Sequence, residues 1–153
     1  MKLAELLTER KAIKEEIKKI KERLDLSATV QEGDAMPPED PEELKSIFVG
    51  LYVRLADLIV KINRTNGNTR VGEKSLMEWI ADRDKNLAIA NGLHRLAEEA
   101  TPKPERFSRN EIRYVPMINI KEVRQEADRY AKRAREIDVM IQTTNWNTEL
   151  SGG

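Results

Sequence analysis

The chain has no cysteine. Disulfides, thiolate nucleophiles and thiolate metal ligands are therefore excluded together. Histidine occurs once, at His94, so any Ser-His-acid arrangement must use that imidazole, and a multi-histidine metal site cannot be built. Aromatic residues make up only 5% of the chain, which argues against a β-sandwich core. Long apolar runs are missing as well. In "MKLAELLTERKAIKEE" charge returns every few residues, so neither a signal peptide nor a membrane span is read there, and a cytoplasmic location is expected. Neither sign of charge is in excess. With 27 basic and 27 acidic residues no global field draws the protein to nucleic acid or anionic membrane, and a charge-driven partner must meet a local patch.

What is present is helical material. Of 153 residues 39% are hydrophobic and 35% charged, the balance of Leu/Ile helices with solvated outer faces. One helical domain over residues 1–150 is expected, with 151–153 as a tail. Leu3, Leu6, Ile13, Ile17, Ile20 and Leu24 repeat at heptad spacing, with Arg10 in the one polar slot, and predict a first helix. The segment "VQEGDAMPPEDPEEL" then breaks helix and reads as an acidic loop. Asp40 before Pro41, with Glu43 completing a capping box, opens a second helix whose stripe is Leu44, Phe48, Leu51, Leu55, Leu58 and Ile62. Ser75 and Glu78 form a second capping-box signature and start a third helix to about Ala100. Its stripe is interrupted by Arg83, Asp84 and Lys85, so it packs less regularly or exposes part of that face to a partner.

Residues 106–118, "RFSRNEIRYVPMI", lose the helical period, and a short strand or hairpin is expected there, held to an edge by Pro116. Asn119 with Glu122 caps a fourth helix carrying Ile120, Val123, Ala127, Tyr130, Ala134, Ile137 and Ile141. Helices of about 24 residues are roughly 36 Å long. The fold class is mostly α: four long helices in a bundle or antiparallel coiled coil, with the short β element near 106–118. Narrow apolar seams favour assembly into a homo-oligomer. Arg10 would set register there by meeting an acid from another helix.

Two pentapeptides nearly repeat, "TNGNT" at 65–69 and "TNWNT" at 144–148. A shift of 79 residues lays one on the other and superposes the stripes of the second and fourth helices, which is the pattern of two helical-hairpin halves of similar plan. Asn66, Gly67 and Asn145 suit left-handed helix stops. Trp146, whose indole N–H wants an acceptor, is expected to dock on the bundle or on a neighbouring chain. Asn63, Asn66, Asn145 and Asn147 would cluster if the two helix ends lie together, and that is the first place to look for a site.

The combination "VQEGD…PEDPEEL", "INRTN…T", "RFSRNEI" and "IQTTNWNTEL" resembles a small bacterial and phage-associated family of uncharacterised helical proteins often labelled septicolysin-like. The resemblance covers nearly the whole chain, with departures at Gly67 and Trp79-Ile80, and implies a helical protein without an established activity. The label implies a cytolysin, but the residues argue otherwise. A pore-former needs about 20 apolar residues in a helix or about 10 alternating residues per strand, and the best alternating stretch here carries Arg109, Glu111, Arg113 and Pro116.

Candidate chemistry is sparse. His94 has Glu98 one turn away and reads as a structural imidazole; a di-iron site lacks its Glu-x-x-His pairs, since Asn91 stands three residues before His94. Acid pairs of magnesium-binding hydrolase spacing occur at Glu39/Glu42, Glu78/Asp82 and Glu122/Glu126, at a rate that 27 acids produce by chance. Catalytic residues, metal and cofactors are therefore assigned as none. Residues 106–135 hold nine bases (Arg106, Arg109, Arg113, Lys121, Arg124, Arg129, Lys132, Arg133, Arg135) against Glu111, Glu122, Glu126 and Asp128, with Phe107 and Tyr114 placed to stack on bases. That face is a candidate for RNA or DNA. The competing reading, favoured by overall neutrality, pairs Arg109 and Arg113 with the acidic loop. A non-enzymatic, homo-oligomeric assembly or partner-binding protein is the leading expectation, nucleic-acid binding the second, and a helical hydrolase the third.

Overall fold

The computed structural model describes residues 1–103 and 112–150. Four helices form: α1 (Leu3–Leu26), α2 (Pro41–Asn68), α3 (Leu76–Ala100) and α4 (Ile120–Asn147). Their starts are fixed by side chains that satisfy the first-turn N–H groups. The Glu5 carboxylate accepts from the Lys2 N–H at 2.6 Å. Asp40 accepts from the Glu42 N–H at 3.0 Å, with Pro41 in the first helical position; Glu43 is not recruited and stays exposed. Ser75 and Glu78 close the expected capping box, at 3.2 and 2.8 Å. The Glu122 N–H donates to Asn119 at 3.1 Å.

The chain divides into two compact units, Met1–Val71 with the segment from Thr144 onward, and Gly72–Thr143. The first is built on α1 and α2, which run antiparallel, as the Arg54–Glu9 and Arg23–Glu39 ion pairs require. Its seam is the predicted one: Leu3, Leu6, Ile13, Ile17 and Ile20 meet Leu44, Leu55, Leu58 and Ile62, all buried. Each such side chain contributes about 1.5–3 kcal/mol, whereas an exposed ion pair contributes about 0–1 kcal/mol. The seam therefore holds the unit together, and the ion pairs set direction.

Arg10 lies half-buried in its slot, and among the described residues no ion pair involves it; Glu9, one position earlier, takes the interhelical pair instead. Replacing Arg10 by Leu extends the apolar seam and removes a half-buried cation. The expected result is a melting temperature raised by a few degrees, at about 2–4 °C per kcal/mol for a chain this long. Unchanged melting together with unchanged mass by light scattering would count against any role for Arg10 in the seam.

The second unit is built on α3 and α4, also antiparallel: Arg83 Nη1 lies 2.8 Å from Asp138 Oδ1, and His94 Nε2 lies 3.5 Å from Asp128 Oδ1. Its buried positions are filled differently. Leu76, Ile137 and Ile141 are joined by Ala90, Ala97, Ala127, Ala134 and the amide Asn86, whose Nδ2 donates to the Asp82 carbonyl at 2.7 Å. Arg83 occupies the position in α3 that Arg10 occupies in α1, seven residues after a fully buried leucine. Partial burial opposes its charge, but hydrogen bonds to Asp138 and Asp84 outweigh this and hold its pKa above the ordinary value.

The expected β element lies elsewhere in the chain. Strands β1 (Arg70–Val71) and β2 (Lys74–Ser75) form a two-stranded hairpin around Gly72, whose φ of +64° suits a glycine. The described part of the 106–118 segment, residues 112–118, holds no strand; Ile112, Tyr114, Val115 and Met117 are exposed.

The 79-residue shift is matched in detail. α2 and α4 are both 28 residues long, and their first and last residues are offset by that shift. So are their N-caps, Asp40 and Asn119, and the threonines that end them. Arg70 pairs into the strand leading to α3, and Glu149, one shift later, forms an antiparallel bridge with Lys2, which leads into α1. The Leu3 N–H donates to the Thr148 carbonyl at 2.9 Å, and Lys2 Nζ lies 2.7 Å from Glu149.

The helix-stop reading of the pentapeptides needs correction. Asn66, Gly67, Asn145 and Trp146 all lie inside helices, and among the described residues positive φ occurs only at Gly33 and Gly72. The stop is the closing threonine of each repeat. Thr69 Oγ1 donates to the Thr65 carbonyl at 2.7 Å, and Thr148 Oγ1 to the Thr144 carbonyl at 2.6 Å. In the first repeat the Thr69 N–H donates to the same Thr65 carbonyl at 3.0 Å, so the closing threonine ends the last turn in extended backbone and no left-handed residue is needed.

Candidate interaction surface

α2 carries two apolar stripes. The first is the seam against α1. The second runs Val49, Val53, Ala56 and Val60, spaced four, three and four, with Tyr52 and Ile59 beside it; half a turn separates it from Leu55 and Leu58. Val49 is 55% exposed, Val53 60% and Val60 52%. Tyr52 is held by an edge-on contact with Phe48, ring centres 5.1 Å apart, so its position on this face is fixed.

The fold does not require that face to be apolar. On α4 the positions one shift along are Asp128, Lys132, Arg135 and Val139, an ordinary solvated helix face. Gly50 sharpens the point. It has helical geometry, and a Cβ added there meets nothing within 4 Å. A glycine inside a helix costs about 1 kcal/mol relative to alanine, and among the described residues no contact calls for it. Sequence reading missed this face because the stronger stripe on the same helix accounts for the period; the signal was the second set of valines displaced by half a turn.

The other candidates separate. Both pentapeptides belong to the first unit, at the end where α1 begins. Asn145 is buried, 4% exposed, with its Oδ1 lacking a hydrogen-bond partner. Asn66 is half-buried, and Asn63 and Asn147 are exposed. Burial thus splits the four amides rather than gathering them inside one site. Trp146 is 61% exposed, so it is not docked within this chain. Arg113 and Tyr114 are exposed; Arg106, Phe107 and Arg109 lie outside the described residues.

On α4, Lys121, Arg124, Arg129, Lys132, Arg133 and Arg135 are exposed. Arg124 Nη2 lies 3.3 Å from Thr101 Oγ1, and Arg133 stands 6.0 Å from the Trp79 ring centre, with Lys74 4.7 Å from the same ring. In the acidic loop, Glu39 is engaged by Arg23 of its own unit, whose hydrogen bond holds its carboxyl below the usual range.

His94 meets Asp128 of α4 rather than Glu98, and both side chains are largely exposed. The acid pairs are engaged singly. Glu42 pairs with Lys45 and Glu78 caps α3. Asp82 is held below the usual carboxylate range first by its hydrogen bond to Lys85, at 2.8 Å, with Lys74 adding to it. Among the described residues no group of three His, Asp or Glu side chains is placed to hold a metal ion, and no helix is long and apolar enough to cross a membrane.

A mostly helical protein with an exposed apolar stripe along α2 is the class that this geometry defines. Residues 10–150 match a family of unknown function, DUF6847, and the chain belongs to that family. It is similar to a solved protein described as a functionally unknown conserved protein from Corynebacterium diphtheriae, at 38% identity, with 99% of each chain covered and a TM-score of 0.91. No curated protein matches the chain.

Proposed function

We propose that this is a non-enzymatic helical protein that acts by assembling with a partner, and that the outer face of α2 is where it does so. The observation that carries the reading is the contrast between equivalent faces: Val49, Val53 and Ala56 stand exposed on α2 where α4 has Asp128, Lys132 and Arg135, and only the fourth position, Val60 and Val139, is apolar on both. Exposed apolar surface arranged in a stripe is costly in water and marks an interaction site. Of the acids and the one imidazole that a hydrolase would use, Glu39, Glu42 and Asp82 are engaged by bases, Glu78 caps α3 and His94 meets Asp128. Light scattering on the purified chain and on a Val53→Glu/Val60→Glu variant tests the proposal. A mass above the 17.6 kDa of one chain, or a stoichiometric complex, lost in the variant, supports it. A chain that stays alone at every concentration and turns over a nucleotide or ester substrate overturns it.

Nucleic-acid binding is the second reading, favoured by the exposed Lys121, Lys132 and Arg135 on α4. RNA binding that falls steeply with salt would support it. No binding at low ionic strength removes it.

A further inference from the structure

We infer that the partner on α2 is a second copy of this chain, with the two α2 helices antiparallel about a two-fold axis passing between residues 54 and 55. The inference deepens the assembly reading and rests on it.

Three features of α2 select this occupant. The first is self-complementarity of shape. About that axis Val53 faces Ala56 of the second copy and Val49 faces Val60, so the four central contacts are apolar, and Ser46 meets Asn63 at each end of the seam. Gly50 falls at the edge of the seam, facing Asp57 of the second copy, where its missing side chain leaves room for the carboxylate. Tyr52 comes against Ile59 on the other edge. An isologous interface of this kind needs no surface but its own.

The second feature is charge. Glu43 and Arg64 lie near opposite ends of α2, both exposed, and among the described residues neither has an ion pair. The antiparallel arrangement sets each beside the other's counterpart in the second copy, giving two complementary pairs by symmetry. A parallel arrangement leaves both without an opposite charge, because the residues reached across a parallel seam from Lys45, Tyr52 and Ile59 are Gly50, Asp57 and Arg64. Charge at the flanks therefore chooses direction, while the valines supply the affinity.

The third feature is size. From Ser46 to Asn63 the stripe is about 26 Å long, and the paired faces would bury on the order of 1,000 Å². That is the low end of specific interfaces, the range of weak and reversible association.

The absence of cysteine gives a clean background for the test. Single-cysteine variants Ala56→Cys, Val49→Cys and Val60→Cys are treated with a short bismaleimide in the full chain, alone and mixed, while sedimentation reports mass. The antiparallel geometry predicts that Ala56→Cys cross-links to itself and that Val49→Cys cross-links to Val60→Cys. It predicts that Val60→Cys does not cross-link to itself, because those positions are about 16 Å apart along the axis. Glu43→Arg should weaken the dimer about 5- to 30-fold, and adding Arg64→Glu should restore it.

Self-linking of Val60→Cys, or a dimer that survives Val53→Glu, overturns this inference while leaving assembly by another face standing. A monomer at about 100 µM that forms a stoichiometric complex with a different protein overturns the inference and supports the assembly reading. A monomer that forms none overturns both.

Discussion

Replacing Ile62 by Ala is expected to lower the stability of the first unit by about 3–4 kcal/mol, the upper part of the range for deleting three buried carbons from a closed core. Ile62 is fully buried, as is Leu3 on the facing helix, and both sit where α1 begins, α2 ends and the last turn of α4 belongs to the same unit. Three segments of chain fix that end, so the surroundings cannot collapse into the space left behind. A fall in melting temperature of about 10 °C follows, at roughly 2–4 °C per kcal/mol. Leu26→Ala, an equal deletion at a site that is 77% exposed, should shift stability by no more than about 0.5 kcal/mol. If the two variants melt together, the seam is not what holds α1 to α2.

The second large effect has the opposite sense of volume. Ala127 is fully buried in α4, and the residue one shift earlier in α2 is Phe48. Ala134 likewise stands where α2 has Leu55. Ala127→Phe therefore installs the side chain that its own repeat position carries elsewhere. It should nonetheless cost about 1–3 kcal/mol, because Ala127 is fully buried in a unit whose other buried positions include Ala90, Ala97 and Ala134, and a ring there forces packed neighbours apart. Spreading α3 from α4 would also break the Arg83–Asp138 hydrogen bond. A lowered urea midpoint for Ala127→Phe, with Ala127→Ser close to the parent, is the expected outcome; equal midpoints for all three would mean that the alanines do not set the fit.

Why those two residues behave differently is not visible in their spacing. The stripes of α2 and α4 have the same register, and a periodicity argument scores Leu55 and Ala134 alike. What differs is how much volume the opposite helix brings, and that depends on contacts far apart in sequence.

The sequence alone determined the helices, their caps at Asp40, Ser75 and Asn119, the seam of the first unit and the 79-residue correspondence. All of these follow from interactions within a few residues or from a period along one helix. It also read the pentapeptides as equivalent, and they are, through a hydroxyl-to-carbonyl bond rather than through a left-handed asparagine. Only the tertiary structure decided that the β hairpin lies at 70–75, that Trp146 is outside and Asn145 inside, and that Asp128 rather than Glu98 meets His94. It also decided which of α2's two apolar stripes is used up. A helix with valines and leucines on opposite sides offers two ways to be buried, and local pattern cannot rank them. Packing α1 against Leu44, Leu55, Leu58 and Ile62 covers one stripe, and leaves Val49, Val53 and Val60 exposed.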